Sequence, residues 1–159
     1  MASRGNVYVE TTVFSYLAAR PSRDLREAAH QQITAEWWDS RRHEFVLFVS
    51  QLVVEEASAG DPTVASRRVG YLADLTLLEL SDPTLALAEK LLADGAVPVA
   101  ASEDALHIAV ATVHGMHYLM TWNCKHIANA ATRSRIETAC NDAGYDMPVI
   151  CTPEELLEE

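Results

Sequence analysis

Four oxygen-bearing side chains, Glu10, Glu56, Asp104 and Asn123, stand where separate elements of an α/β chain begin or end. Glu10 closes the short apolar strand Val7-Tyr8-Val9. Glu56 falls about one and a half turns into a helix that follows the apolar run from Phe45 to Val49. Asp104 sits in the first turn of a helix capped by Ser102, where the helix dipole favours a negative charge. Asn123 follows a strand from Tyr118 to Thr121. In open parallel sheets, sites form outside the carboxyl ends of the strands. Three carboxylates and one amide gathered there would give oxygen ligands to Mg²⁺ or Mn²⁺. Such an ion lowers the pKa of a bound water and clamps the oxygens of a phosphodiester in line. The same residues have plainer uses. Acids are common helix caps, and a mid-helix glutamate is commonly a solvated face. Glu55 competes with Glu56 for the second position.

The elements that must position these side chains follow from punctuation and periodicity. Thr11 or Thr12 caps a short helix through Leu17, which Pro21 breaks. Ser22 opens a long helical segment through Arg42, with Leu25, Ala28, Ala29, Ile33, Trp37 and Trp38 near helical spacing. Ser50 caps a helix from Gln51 to about Ala59. Gly60 stops it, and Asp61-Pro62 starts another that runs to about Leu75. A strand over Leu77 to Leu80, a helix from Ser81-Asp82-Pro83 to Asp94-Gly95, a helix over Thr132 to Ala143 and a last strand from Pro148 to Cys151 complete the pattern. Strands alternate with helices throughout, which predicts an α/β fold with a mostly parallel central sheet flanked by helices. With 159 residues and no repeat or linker, the chain fits one domain over 1–159, with 152–159 an acidic tail or short helix.

Bulk composition narrows the function. At 49% hydrophobic residues the chain can bury an ordinary core, yet no apolar run reaches the ~20 residues a membrane span needs. The segment Met-Ala-Ser-Arg-Gly-Asn lacks the apolar stretch of a signal peptide, so a cytoplasmic protein is expected. The three cysteines, Cys124, Cys140 and Cys151, then predict buried free thiols rather than disulfides. A formal net charge of -11 gives no general attraction for phosphate, so a nucleic-acid ligand requires a local basic patch, a metal or a basic partner.

Certain motifs carry a resemblance. The strand ends Glu10-Thr11-Thr12 and runs on as Val13-Phe14-Ser15-Tyr16-Leu17. Ser50, Glu56 and Gly60 follow the second strand. Asp104-Ala105-Leu106-His107-Ile108-Ala109 opens a helix, and Thr121-Trp122-Asn123 ends a strand. On these residues the chain resembles the PIN domain family, and within it the VapC-like toxins of type II toxin–antitoxin systems. The resemblance implies a three-layer fold and a Mg²⁺- or Mn²⁺-dependent ribonuclease that hydrolyses RNA, with an antitoxin protein as a partner. It implies Glu10, Glu56 and Asp104 as metal ligands, Asn123 as a ligand or positioner of ligand water, and Thr121 as a hydrogen-bonding orienter. One of the carboxylates would accept the proton of the attacking water. Glu10 departs from the family's Asp, which moves the carboxylate outward by about 1.5 Å. Asn123 also replaces an Asp, and Thr12 an Asn. Three carboxylates in place of four imply one held metal rather than two and a reduced activity. The alternative is a PIN-fold binding module that acts through a protein partner.

Other constellations compete for notice. His114, His117, Cys124 and His126 lack the paired spacing of structural zinc sites. His107, one turn after Asp104, is expected as a packed helix histidine or a supporting neighbour of the site. Lys125 and His126 either touch a phosphate or line a solvated loop. Arg41-Arg42-His43 and Arg67-Arg68 are basic clusters that either border an RNA path or face water. Trp37-Trp38 point about 100° apart on a helix, so one is expected at an interface, and with it a homodimer.

Overall fold

The protein is described by a computed structural model over residues 2–158. Its elements alternate as the sequence requires. They are β1 (Asn6–Val9), α1 (Thr11–Ala18), α2 (Leu25–Ser40), β2 (Val46–Ser50), α3 (Gln51–Ala57), α4 (Pro62–Gly70) and β3 (Thr76–Leu78). Then come α5 (Asp82–Ala93), α6 (Ser102–Val113), β4 (Tyr118–Met120), α7 (Arg133–Asp142) and β5 (Val149–Cys151). The five strands form one sheet in the order β3-β2-β1-β4-β5, and every pairing is parallel. Right-handed crossovers then place α1 to α4 on one face and α5 to α7 on the other. Contacts follow that division: α1 packs on α2, α3 and α4, and α5 packs on α6 and α7. The result is a three-layer α/β fold.

The central strands β1 and β4 are short and buried on both faces, which is why they carry apolar runs, whereas the edge strand β3 is largely exposed. Val7, Tyr8, Val9, Leu119 and Met120 are fully inaccessible. The chain leaves β1 in one direction to build β2 and β3, then returns past β1 to build β4 and β5. The strand order therefore reverses between β1 and β4. Ligand crevices of open sheets form outside the carboxyl ends at such a switch point. Glu10 follows β1 there, and Thr121 follows β4.

Several boundaries differ from expectation for physical reasons. Glu10, not a threonine, caps α1: its side chain accepts from the Thr12 N–H. Ser50 is the N-cap of α3 but makes no capping bond, because its hydroxyl is turned inward to Tyr8. Ala101 caps α6 and Ser102 is its first residue, so Asp104 stands at the third helical position. The long second helix starts only at Leu25, where Asp24 accepts from the Glu27 N–H. Gly115, at φ +69°, lets the chain turn from α6 into β4. In the segment 152–158 the chain turns, the Thr152 N–H donates to Glu155, and Leu156 and Leu157 pack on the core. Residues 1 and 159 lie outside the described span.

Two expectations are overturned. Trp37 and Trp38 are both buried, Trp38 edge-on against Phe14 and Tyr71 with the Arg42 guanidinium over its ring, so neither indole is left for an interface. The tryptophan pair gives no reason for a homodimer. Cys140 and Cys151 are buried free thiols, and burial pushes the Cys151 thiol up to about 12, but Cys124 is exposed.

Candidate metal centre

Glu10, Glu56 and His107 meet at the carboxyl edge of the sheet, each offering one ligand atom within 4.8 Å of the others. Three different elements supply them: the turn after β1, the last part of α3 and the second turn of α6. Glu10 is almost fully buried yet well paired. Its Oε1 accepts from Thr121 Oγ1 at 2.6 Å, Thr12 Oγ1 at 2.5 Å and Thr12 N at 3.2 Å. Its Oε2 lies 4.0 Å from His107 Nε2. A buried carboxylate without such donors would be strongly destabilising.

His107 is wholly buried and holds both ends of its ring. Nε2 lies 2.7 Å from Glu56 Oε1. Nδ1 lies 2.8 Å from the Tyr8 hydroxyl, which lies 2.8 Å from Ser50 Oγ. Burial by itself pushes His107 down. The Glu56 hydrogen bond and the charges of Glu10, Glu56 and Asp104 outweigh it and raise the imidazole above its ordinary value. In the imidazolium both ring nitrogens donate, one to Glu56 and one to Tyr8. Burial likewise pushes Glu56 up, and His107 with Thr11 (Oγ1 to Oε1, 2.6 Å) more than reverses it, so the carboxyl titrates below its usual range. Desolvation raises the Tyr8 phenol far above its ordinary value, so it stays neutral in the chain. The Glu56 carboxylate is thus held against the His107 imidazolium, and Glu10 Oε2 lies 4.0 Å from the same ring nitrogen.

Asp104 and Asn123 are placed differently. Asp104 Oδ2 is 2.9 Å from His126 Nδ1, in a half-buried pair. It contributes to the field on His107 but stands outside the group of mutually adjacent ligand atoms. Asn123 Oδ1 accepts from the His126 N–H at 3.1 Å, and its backbone oxygen accepts from Ala128 N, so the residue ties the turn after β4. Thr121 joins the two parts, since its hydroxyl donates to Glu10 and accepts from Asn123 N at 2.9 Å. Glu56 rather than Glu55 faces the cluster, and Glu55 is exposed.

Sequence reasoning undervalued His107 and missed Tyr8 and Ser50 as its supports and Thr11 as a support of Glu56. The spacing of Asp104 and His107, one helical turn, was the signal available for the histidine. Nothing local marked Tyr8, because only the sheet register brings its hydroxyl to Ser50. The zinc set does not assemble. His114 Nε2 bonds Glu79 O, His117 Nδ1 accepts from Asn6 N, and His126 serves Asp104.

Two carboxylates and an imidazole around one point are a donor set that fits a divalent cation, so the cluster could hold a metal ion. His107 can act as a direct ligand only by giving up its Nε2 proton. While it keeps the proton, it orients Glu56 instead. Comparison with protein-family models, with curated proteins and with solved structures gives no match. Among the described residues no helix is long and apolar enough to cross a membrane.

Proposed function

We propose that this protein is a metal-dependent ribonuclease of the PIN type. The observation that carries the reading is the Glu10–Glu56 pair at the switch point of an all-parallel sheet, Glu10 buried and Glu56 partly exposed, with Asp104 on the adjoining helix. Glu10 and Glu56 would hold Mg²⁺ or Mn²⁺ through carboxylate oxygens. Asp104 would join them on release from His126. When bound, the ion would supply an activated water and a counter-charge for the phosphodiester. Thr12 and Thr121 fix the Glu10 carboxylate, His107 and Thr11 fix Glu56, and Asp104 would accept the proton of the attacking water. With the resemblance as its support, a basic antitoxin would be the regulating partner of this acidic chain.

Asn123 favours a second reading. A neutral amide, already committed to the turn, stands where the family carries a fourth acid. A weakly active binding module would keep the fold and the cluster without efficient cleavage. The test is cleavage of a single-stranded RNA with Mn²⁺, with Mg²⁺ and with EDTA. The nuclease reading expects Mn²⁺-dependent products that vanish in Glu10→Gln and Asp104→Asn. Equal cleavage by Asp104→Asn would remove that residue from the site, and no metal binding at millimolar Mn²⁺ by calorimetry would leave the binding module.

A further inference from the structure

Both basic clusters singled out in the sequence are used inside the molecule. Arg41 pairs with Glu44 at 3.1 Å, and Arg42 donates to Trp38 O while lying over its indole. Arg67 donates to Ala18 O, and Arg68 to Ala57 O and Ala59 O, so these two staple α4 to the ends of α1 and α3. The cations left without a hydrogen bond or ion pair among the described residues include three that sit together, Arg20, Arg23 and Arg26, all exposed. They flank the junction of α1 and α2. Exposed Leu25 stands among them.

This junction is a groove, not a bulge. Cavities of about 480 and 800 Å³ adjoin there and share Tyr16 as a wall. Arg20 lines the first cavity, Arg23 and Arg26 the second. The groove begins at Thr12, whose hydroxyl donates to Glu10 and accepts from the Trp122 N–H at 2.9 Å. Its backbone is held in place: Ser22 N donates to Gln31 Oε1, and Gln31 Nε2 donates to Arg20 O. Its aromatic wall is equally fixed. Tyr16 stands edge-on to both His30 and Trp122, whose rings stack at 3.9 Å, and Trp122 Nε1 donates to Thr34. Asp24 and Glu27 face the same groove, but each is tied into local bonds, Asp24 as a cap and Glu27 to Ser22.

We infer that the groove between α1 and α2 is a binding track for single-stranded RNA, with Arg20, Arg23 and Arg26 on phosphates and Tyr16 beneath an unstacked base. The inference rests on the proposed nuclease reading and extends it. Unpaired arginines in a chain of net charge -11 give a local attraction the rest of the surface opposes. An aromatic wall beside them suits single strands, whose bases are free to stack, and not a duplex. The track leads from the arginines to the hydroxyl that fixes Glu10, so a strand lying in it would present a phosphodiester to the carboxylates.

The experiment measures binding of a fluorescent oligoribonucleotide by anisotropy in EDTA, so that no cleavage intervenes, across a salt series. The Arg20→Ala/Arg23→Ala/Arg26→Ala variant should flatten the slope of log K against log salt by about 2, since each lost phosphate contact removes ~0.7. Tyr16→Ala should weaken binding about tenfold and Tyr16→Phe should restore it. Unchanged slope and affinity in the arginine variant would overturn the track, as would failure of the parent to bind at low salt. Poly-glutamate competing as well as RNA would also overturn it, by making the groove a seat for an acidic protein. If the parent binds as expected but cleaves nothing with Mn²⁺, the nuclease reading falls and the track stands. If the parent cleaves and the arginine variant binds and cleaves equally, the track falls alone.

Discussion

The two halves of the candidate centre are built to different standards. Around Glu10 and Glu56, every supporting group is buried or hydrogen-bonded into the core: Thr121 and Thr12 hold Glu10, while Thr11, His107, Tyr8 and Ser50 form a chain through Glu56, and the two sets meet where Glu10 Oε2 lies 4.0 Å from His107 Nε2. Around Asp104 and Asn123, one half-buried histidine serves both, through its ring to Asp104 and its N–H to Asn123. The first half belongs to the stability of the fold as much as to any chemistry. The second is a surface arrangement that can open without disturbing the sheet. The inner half is thus locked by hydrogen bonds into the core, and the outer half is left looser.

Breaking the locked half should have the largest effect. His107→Ala removes the internal cation and leaves Glu10 and Glu56 facing each other, at a loss of about 3 kcal/mol in urea unfolding. The loss should depend on pH in a defined direction. His107 is raised above 6.5, so its contribution is full below that value and fades as pH rises through the higher folded value. Glu56 is lowered from 4.5, so its contribution is present above that value and fades as pH falls. The gap between parent and variant should therefore be widest between pH 4.5 and 6.5. A gap that keeps growing above pH 8 would contradict a protonated His107.

Tyr8→Phe tests the same network one step further from the carboxylates. It keeps the ring volume in the core and removes only the bridge between Ser50 and His107. Two buried polar atoms then lose a partner, with an expected loss of about 2 kcal/mol. Mn²⁺ affinity by calorimetry should fall with it, because the His107 ring is no longer fixed and Glu56 with it. Unchanged affinity would confine Tyr8 to packing.

The difference between the halves also explains what was legible in the chain. Asp104, Asn123 and Thr121 were visible because each lies at an element boundary, and boundaries are announced by local residue types. Glu10 was visible for the same reason, although its capping of α1 was not. The α/β alternation and parallel sheet followed from short apolar runs separated by helical stretches, and the structure has both. What could not be seen was the network that depends on register. Tyr8 reaches His107 and Ser50 across separations of 99 and 42 residues. Its alternation within an apolar strand marks it only as core. Glu56 beat Glu55 for a reason equally invisible locally, the rotation of α3 that turns one acid to the cluster and the other to water.

Loosening the outer half should be mild for the fold. His126→Ala removes one partly exposed pair, which is worth about 0.5 kcal/mol, and leaves its backbone N–H on Asn123 intact. Asp104 is then free to turn toward the cluster. Under the nuclease reading, Mn²⁺ binding should strengthen while stability barely changes. The same substitution would weaken binding if the pair were holding Asp104 in its working position.

Asn123→Asp should be the gentlest change and the sharpest on the comparison. An aspartate accepts the His126 N–H as well as asparagine does, so the turn should survive with a stability change within about 0.5 kcal/mol. The added charge lies on the His126 backbone N–H, in the half that has solvent to screen it. If the outer half is an incomplete ligand shell, Mn²⁺ affinity and RNA cleavage should both rise. If the outer half only closes a turn, the variant should match the parent in both, and the chemistry would then rest on Glu10, Glu56 and Asp104. The two results separate because the substitution alters charge without altering the hydrogen bond that Asn123 now makes.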